Sequence, residues 1–307
     1  MTTREIVEKE VNEAMQSGLY SIADLSMFEQ IDKIDISDNL QMHLEYTNDL
    51  LKEYLDEIME LEGKKPGLIE FLKAIKEGDV VDNHSLEKAN SFLVGLYSQM
   101  PKQTAMEKLI KYYKNGKEIT SKNFLGLHNT LLYGTSFNDE ESSFRTNNSK
   151  FVGRIVNGER IIDYFPIDHK DIRKAVNKII EVYNGRLFDN GFDNVFFQPF
   201  LVHGLIGALQ MFDDGNTRLG RVMQHALIWQ LINERTEFNF ELPPVYATRA
   251  YYPLRCKYRE LIAMLVKENN SAAWNKWFDF NLDRIEDSIY AGRENVKLLK
   301  RKIEFNR

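Results

Sequence analysis

The sequence predicts an all-α protein interrupted by one small β-hairpin. Apolar residues recur at intervals of three and four along most of the 307-residue chain, the spacing of helices that bury one face. One stretch breaks that rhythm: Phe151 to Phe165 reads Phe-Val-Gly-Arg-Ile-Val-Asn-Gly-Glu-Arg-Ile-Ile-Asp-Tyr-Phe. Seven prolines and no low-complexity stretch argue against a long linker.

From Ser37 to about Leu61 the apolar positions are Leu40, Leu44, Leu50, Leu51, Tyr54, Leu55 and Ile58, which predicts a long helix. Ser37 or Asp38 can cap its start, and Gly63 with Pro66 ends it. Shorter helical patterns follow at 67–76, 85–99 and 104–115. A boundary near residue 100 divides a helical N-terminal region, 1–100, from a larger helical domain, 101–307. Lys64 to Pro66, Gly78 to Asn83 and Asn138 to Ser143 read as the least ordered points. In the hairpin stretch, Asn157-Gly158 separates two β-rich runs, and both residues suit the positive φ of a tight turn. Such a hairpin is marginal alone and must lean on other structure. It is either a surface decoration or an edge that receives an extended peptide. Near the C-terminus, Trp274, Trp277, Phe278 and Phe280 fall at helical spacings and read as core packing.

Composition narrows the function. With 43% hydrophobic and 28% charged residues, the chain reads as soluble and globular. A net charge of −6 makes nonspecific nucleic-acid binding an unpromising role, although a local basic cradle can still hold a nucleotide. Cys256 is the single cysteine, which excludes an internal disulfide and a cysteine-based metal cluster. The charged N-terminus has no signal-peptide core, and no apolar run approaches the roughly 18 residues of a membrane helix. A cytoplasmic protein with no membrane partner is expected.

The chemistry concentrates in Gln210 to Arg221, Gln-Met-Phe-Asp-Asp-Gly-Asn-Thr-Arg-Leu-Gly-Arg. Gly215 and Asn216 precede an apolar helix through Leu219, Val222, Met223, Ala226 and Leu227. A turn entering a helix leaves backbone N–H groups unpaired, and with the helix dipole these bind anions. Arg218 and Arg221 stand at i, i+3, so both forks can reach one polyphosphate. Asp214, just before the turn, suits Mg²⁺ held against those phosphates. Taken singly, the arginines suit a solvated face and Asp214-Gly215-Asn216 suits a capping turn; the ordered combination favours a polyphosphate site.

This run resembles the signature of the Fic (filamentation induced by cAMP) family, His-x-Phe-x-Asp/Glu-Gly-Asn-Gly-Arg-x-x-Arg. Phe212, Asp214, Gly215, Asn216, Arg218 and Arg221 match it. The resemblance extends from about Ile119 to Ser288, through Leu127-His128, Phe144-Arg145, Phe151-Val152-Gly153, Tyr164-Phe165-Pro166, Pro199, His203 and Leu205, to Tyr251-Tyr252, Leu261, Trp274, Trp277 and Phe278. It implies that 101–307 is a Fic domain with closing C-terminal helices. It implies a nucleotide, usually ATP with Mg²⁺, held by Asp214 (metal) and by Gly215, Asn216, Thr217, Arg218 and Arg221 (phosphates). It implies AMP transfer to a Ser, Thr or Tyr hydroxyl of a target protein, with the hairpin as a flap that aligns the target through Val156, Asn157, Gly158 and Glu159.

Two positions depart from the pattern. Gln210 stands where the family has its catalytic histidine, and an amide cannot take a proton near neutral pH. Losing a positioned base costs on the order of 10²–10⁴ in rate. Thr217 stands where the family has a second glycine; positive φ there would strain a β-branched residue and shift the turn. Severe impairment of transfer follows, and the alternatives are a nucleotide- or partner-binding pseudoenzyme, or an enzyme with another phosphorylated substrate and another proton acceptor. His203 and His128 match family histidines that are not catalytic and read as structural, while His169 and His225 flank the site. The family's inhibitory helix has its nearest match at Glu62-Gly63, which lacks the accompanying hydroxyl residue, so Glu62 is a candidate inhibitory residue or a simple helix end.

Overall fold

A computed structural model describes residues 3–64, 105–132, 143–156, 159–185, 195–236, 240, 243–245, 247–251 and 253–305. Helices dominate these residues, with one two-stranded antiparallel sheet, as the sequence predicts. The first helices are α1 (Thr3–Gln16), α2 (Ser26–Ile31) and α3 (Asp38–Lys64). The Ser37 hydroxyl accepts the Leu40 N–H at 3.3 Å, so Ser37 caps α3. Leu40, Leu44, Leu51, Tyr54, Leu55 and Ile58 form its buried stripe. The helices expected at 67–76 and 85–99, the boundary near residue 100 and the Glu62 side chain lie outside the described residues.

After α4 (Ala105–Lys114) and α5 (Ser121–Leu132) comes the hairpin, β1 (Val152–Val156) against β2 (Glu159–Tyr164). Val156 pairs with Glu159, which leaves two residues for the turn. Those residues, Asn157 and Gly158, lie outside the described set. The sheet is rooted at its base: Phe165 donates its N–H to Ser21 O and accepts the Ala23 N–H at O, each at 2.9 Å. This pairing supplies the support that a lone hairpin lacks.

The remaining helices are α6 (Ile172–Asn184), α7 (Phe197–Leu209), α8 (Asn216–Arg235), α9 (Thr248–Tyr251), α10 (Arg255–Glu268) and α11 (Ser271–Phe305). Every residue of α7 is buried. A helix apolar all round must be covered on every side, and α6, α8, α10 and α11 cover this one. Close approach demands small residues: a Cβ on Gly220 of α8 would lie 2.7 Å from His203 Cδ2 of α7. Trp274, Trp277, Phe278 and Phe280 are core as expected, and Trp277 Nε1 donates to Phe200 O at 2.9 Å.

α11 runs back along α3, and one buried cluster spans Ala23 to Val296. The α3–α11 seam carries a polar lock: His43 Nδ1 donates to Asp279 at 2.6 Å and Nε2 to Glu286 at 2.9 Å. Asp283 lies 4.0 Å from Nε2, and Thr47 donates to Glu286 at 2.6 Å. The Glu286 bond, joined by Asp279, outweighs burial and raises the His43 pKa to about 9. A pKa raised in the folded state gives stability that is complete below the unfolded value of 6.5 and is lost as pH rises through about 9. Asp279 is 59% exposed, which screens the pair to roughly 1 kcal/mol. Urea melts at pH 6, 7.5 and 9 are therefore expected to show a decline that His43→Gln flattens; parallel curves for the two proteins would refute the lock.

Candidate functional site

The loop between α7 and α8 forms the centre of the site. α7 ends at Leu209, and Gln210 takes a left-handed conformation, φ 49° and ψ 58°, that turns the chain out of the core. Five consecutive carbonyls of the loop then meet donors. Gln210 O accepts Arg145 Nε at 2.8 Å, and Met211 O accepts the Arg145 N–H at 3.1 Å. Phe212 O accepts Lys150 Nζ at 2.9 Å and Asn216 Nδ2 at 2.8 Å. Asp213 O accepts Lys150 Nζ at 2.8 Å, and Asp214 O accepts His128 Nε2 at 2.8 Å. Phe212 anchors the loop, stacked on His128 with ring centroids 3.6 Å apart.

With its carbonyls paired, the loop turns into the start of α8, where the first N–H groups have no acceptor within the helix. Gly215 makes the turn at φ 80°, and a Cβ there would lie 2.9 Å from His128 Nε2. The turn and the helix start stand where the sequence predicts them. Burial lowers the His128 pKa to about 4, so it is neutral and donates one N–H. Burial, with Arg145's charge, likewise lowers Lys150 to about 8.

The expected site residues separate into groups. Asn216 is a clamp: its Oδ1 accepts the Phe212 N–H at 2.9 Å, and its Nδ2 also donates to Gln210 Oε1 at 3.2 Å. Gln210 is 8% exposed, and its Nε2 donates to Gly207 O at 2.6 Å, so both ends of its amide are engaged. Asp214 pairs with Arg218 at 2.5 Å. Burial raises the Asp214 pKa, but the charge of Arg218 overrides it and leaves the carboxylate ionised. The two arginines have different neighbours within the protein. Arg218 turns to Asp214, whereas Arg221 acts through its charge on Tyr258, His203 and His225.

The strain expected at Thr217 is corrected. Thr217 lies in the first turn of α8, and positive φ falls instead at Gly215 and Gln210. A β-branched residue costs little in that setting, so the turn is intact.

A cavity of about 330 Å³ opens beside the loop. Gln210, Thr217 and Lys150 line it, with Gly153 and Arg154 of β1, Asp163 and Tyr164 of β2, and Cys256 and Arg259 of α10. The hairpin thus stands beside Gln210, as its place in the sequence suggests; Val156 and Glu159 are at the strand ends nearest the turn. Arg154 reaches Glu260 of α10 at 3.7 Å across the cavity mouth, an exposed pair of little energetic weight. A larger cavity of about 750 Å³ lies between α5 and α6 and touches none of Gln210 to Arg221.

Sequence reasoning missed Lys150 and Tyr258, and it quoted Arg145 without a role. Lys150 sits in a polar run with no periodic signal. The charge of Arg221 acts on Tyr258 only once α8 and α10 meet.

The fold is that of Fic family proteins. A Fic family protein from Desulfovibrio desulfuricans G20 matches with a TM-score of 0.52 at 12% identity, over 85% of this chain and 76% of that one. Fic-1 from C. elegans matches with a TM-score of 0.41 at 14% identity, over 82% of this chain and 71% of the other. No protein-family model and no curated protein sequence matches the chain. Among the described residues, no helix is long and apolar enough to cross a membrane.

Gly215→Ala tests the turn. Its added methyl meets His128 at a positive φ, so a loss of about 1–3 kcal/mol in thermal or urea unfolding is expected. His128→Ala in the same chain removes the clash and is expected to be less than additive with it; full additivity would show that the contact is not the constraint.

Proposed function

We propose that the α7–α8 loop and the adjoining cavity bind a nucleoside triphosphate, ATP in the first instance, with Mg²⁺, and that the protein is a Fic-type adenylyltransferase of low activity. The observation that carries the reading is the capture of all five loop carbonyls, Gln210 to Asp214, by Arg145, Lys150, Asn216 and His128. That capture leaves amides and the start of α8 to meet phosphate oxygens.

The donor set fits the cofactor. Among the described residues no group of three or more His, Cys, Asp or Glu can hold a metal alone. The single ionised Asp214 suits Mg²⁺, which takes its other ligands from phosphates and water. Asp214 would hold the metal edge of the nucleotide, the Gly215 to Thr217 backbone its phosphates, and Arg218 and Arg221 its charge. When bound, ATP–Mg²⁺ supplies an electrophilic α-phosphate for a target hydroxyl. β1, whose outer edge pairs with no other strand among the described residues, is the docking edge for the extended target segment. The setting is cytoplasmic, where ATP and Mg²⁺ are abundant.

Gln210 orients a hydroxyl and removes no proton. No histidine lines the cavity, and the buried His128, His203 and His225 all have pKa values pulled down by burial. The second reading, a nucleotide-binding pseudoenzyme, is favoured by the engagement of both ends of the Gln210 amide with Gly207 and Asn216.

Incubation with α-labelled ATP and cell lysate separates the two. Very weak labelling by the unaltered protein is expected, and Gln210→His is expected to raise it by one or more orders of magnitude. Because Thr217 is helical, that single change suffices without Thr217→Gly. Nucleotide-dependent thermal stabilisation that Gln210→His leaves without labelling supports the pseudoenzyme. No stabilisation of the unaltered protein by millimolar nucleotide sinks both readings.

A further inference from the structure

The cavity of about 750 Å³ between α5 and α6 stands apart from the loop site and falls in the size range of small-molecule pockets. Its apolar walls are Leu125 of α5, Phe144 from the segment before β1, and Ile172 and Val176 of α6. Ile172 and Val176 belong to the buried core, whereas Leu125 and Phe144 pack against it and stay partly open. The Ser121 hydroxyl of α5 clasps the two helices by donating to Asn177 Oδ1 of α6 at 2.8 Å.

The fixed charge at this cavity has one sign. Lys122, Arg145 and Arg173 line it and, among the described residues, no carboxylate does, although the chain has 46 acidic and 40 basic residues. Arg145 is committed elsewhere: its Nε, Nη1 and Nη2 donate to the carbonyls of Gln210, Asn147 and Ile167. Lys122 and Arg173 are not. Lys122 follows the clasp residue Ser121, and Arg173 stands one turn before Asn177 on the same helix face. Both side chains are exposed, and neither has a hydrogen bond or ion pair among the described residues. The clasp uses the Asn177 oxygen and leaves its amide nitrogen without an acceptor among those residues. Two unanswered cations and an amide donor beside apolar walls call for an anion, and a guanidinium fork suits a carboxylate.

We propose that this cavity binds a small amphipathic carboxylate. Its aliphatic body lies on Leu125, Phe144, Ile172 and Val176, and its head meets Lys122, Arg173 and the Asn177 amide. A neutral hydrocarbon would leave the cations unanswered, and an inorganic anion would leave the walls wet. Burial of the body supplies most of the affinity, and the cations orient the head. This site is independent of the nucleotide reading above.

The test uses the full chain, methyl-labelled at Ile, Leu and Val and titrated with octanoate, octan-1-ol and butanoate. Octanoate is expected to shift the methyl signals of Leu125, Ile172 and Val176. Octan-1-ol keeps the body and loses the charge, and is expected to bind about tenfold more weakly, the loss of one charge-assisted contact. Butanoate is four methylenes shorter and is expected to bind more weakly by on the order of a hundredfold. Lys122→Gln and Arg173→Gln, both at exposed positions, are each expected to weaken octanoate by about fivefold and to leave octan-1-ol unchanged. Equal binding of octanoate and octan-1-ol, or an octanoate affinity that survives both substitutions, overturns the proposal. Millimolar octanoate that shifts none of the three methyls overturns it as well. A peptide of alternating Leu and Asp that shifts them where octanoate does not assigns the cavity to a protein partner and overturns it. Shifts of the same methyls on dilution of the protein alone assign it to a second copy of the chain, with the same consequence.

Discussion

The site depends on one constraint: five successive carbonyls, Gln210 to Asp214, must all find donors within a tight reversal. A backbone polar group left unpaired near a core costs about as much as a lost hydrogen bond, and here five are at stake. The donors arrive from distant parts of the chain, His128 from α5 and Arg145 with Lys150 from the segment before β1. Asn216 closes the reversal from within by binding Phe212 through both its N–H and its C=O. Because α7 is buried along its whole length, the loop cannot relax by moving its N-terminal arm. The amides are therefore aimed by the same bonds that satisfy the carbonyls.

This arrangement also concentrates charge. Arg145, Lys150, Arg218 and Arg221 surround a loop whose own carboxylates are Asp213 and Asp214, in a chain of net charge −6. His128 lies among these cations and is kept neutral by burial. Burial, with the charge of Arg145, lowers the affinity of Lys150 for its proton. Cations thus gather locally in a chain whose overall charge is negative. Asp214 takes Arg218, while Arg145 and Lys150 occupy the loop carbonyls.

Local chemistry was legible in the sequence, and long-range pairing was not. The stripe Leu40 to Ile58 gave α3, and Asn157-Gly158 between β-rich runs gave a hairpin whose register leaves two turn residues. Gly215 at the turn and the start of α8 just after it were likewise readable, because positive φ and helix entry leave marks within a few residues. The i, i+3 spacing of Arg218 and Arg221 fixed their place on the helix but not their partners. The Arg218 side chain reached back to Asp214, and the charge of Arg221 acts on the buried His203 and His225. The His43 lock joins residues 236 and 243 positions apart, and Lys150 meets the loop across 62 and 63. No periodicity encodes separations of that size.

Thr217 shows why a departure from a pattern must be judged in its fold. Read alone, a β-branched residue in place of glycine suggests a broken nest, because glycine is so often kept for positive φ. In the structure the left-handed residues are Gly215 and Gln210, and position 217 is ordinary helix. Its side chain lines the cavity beside the loop. Gln210 is the opposite case. Its left-handed backbone is accepted, but its side chain is tied to Gly207 and Asn216. The two departures therefore differ in setting: Thr217 sits in regular helix, and the Gln210 amide is held by Gly207 and Asn216.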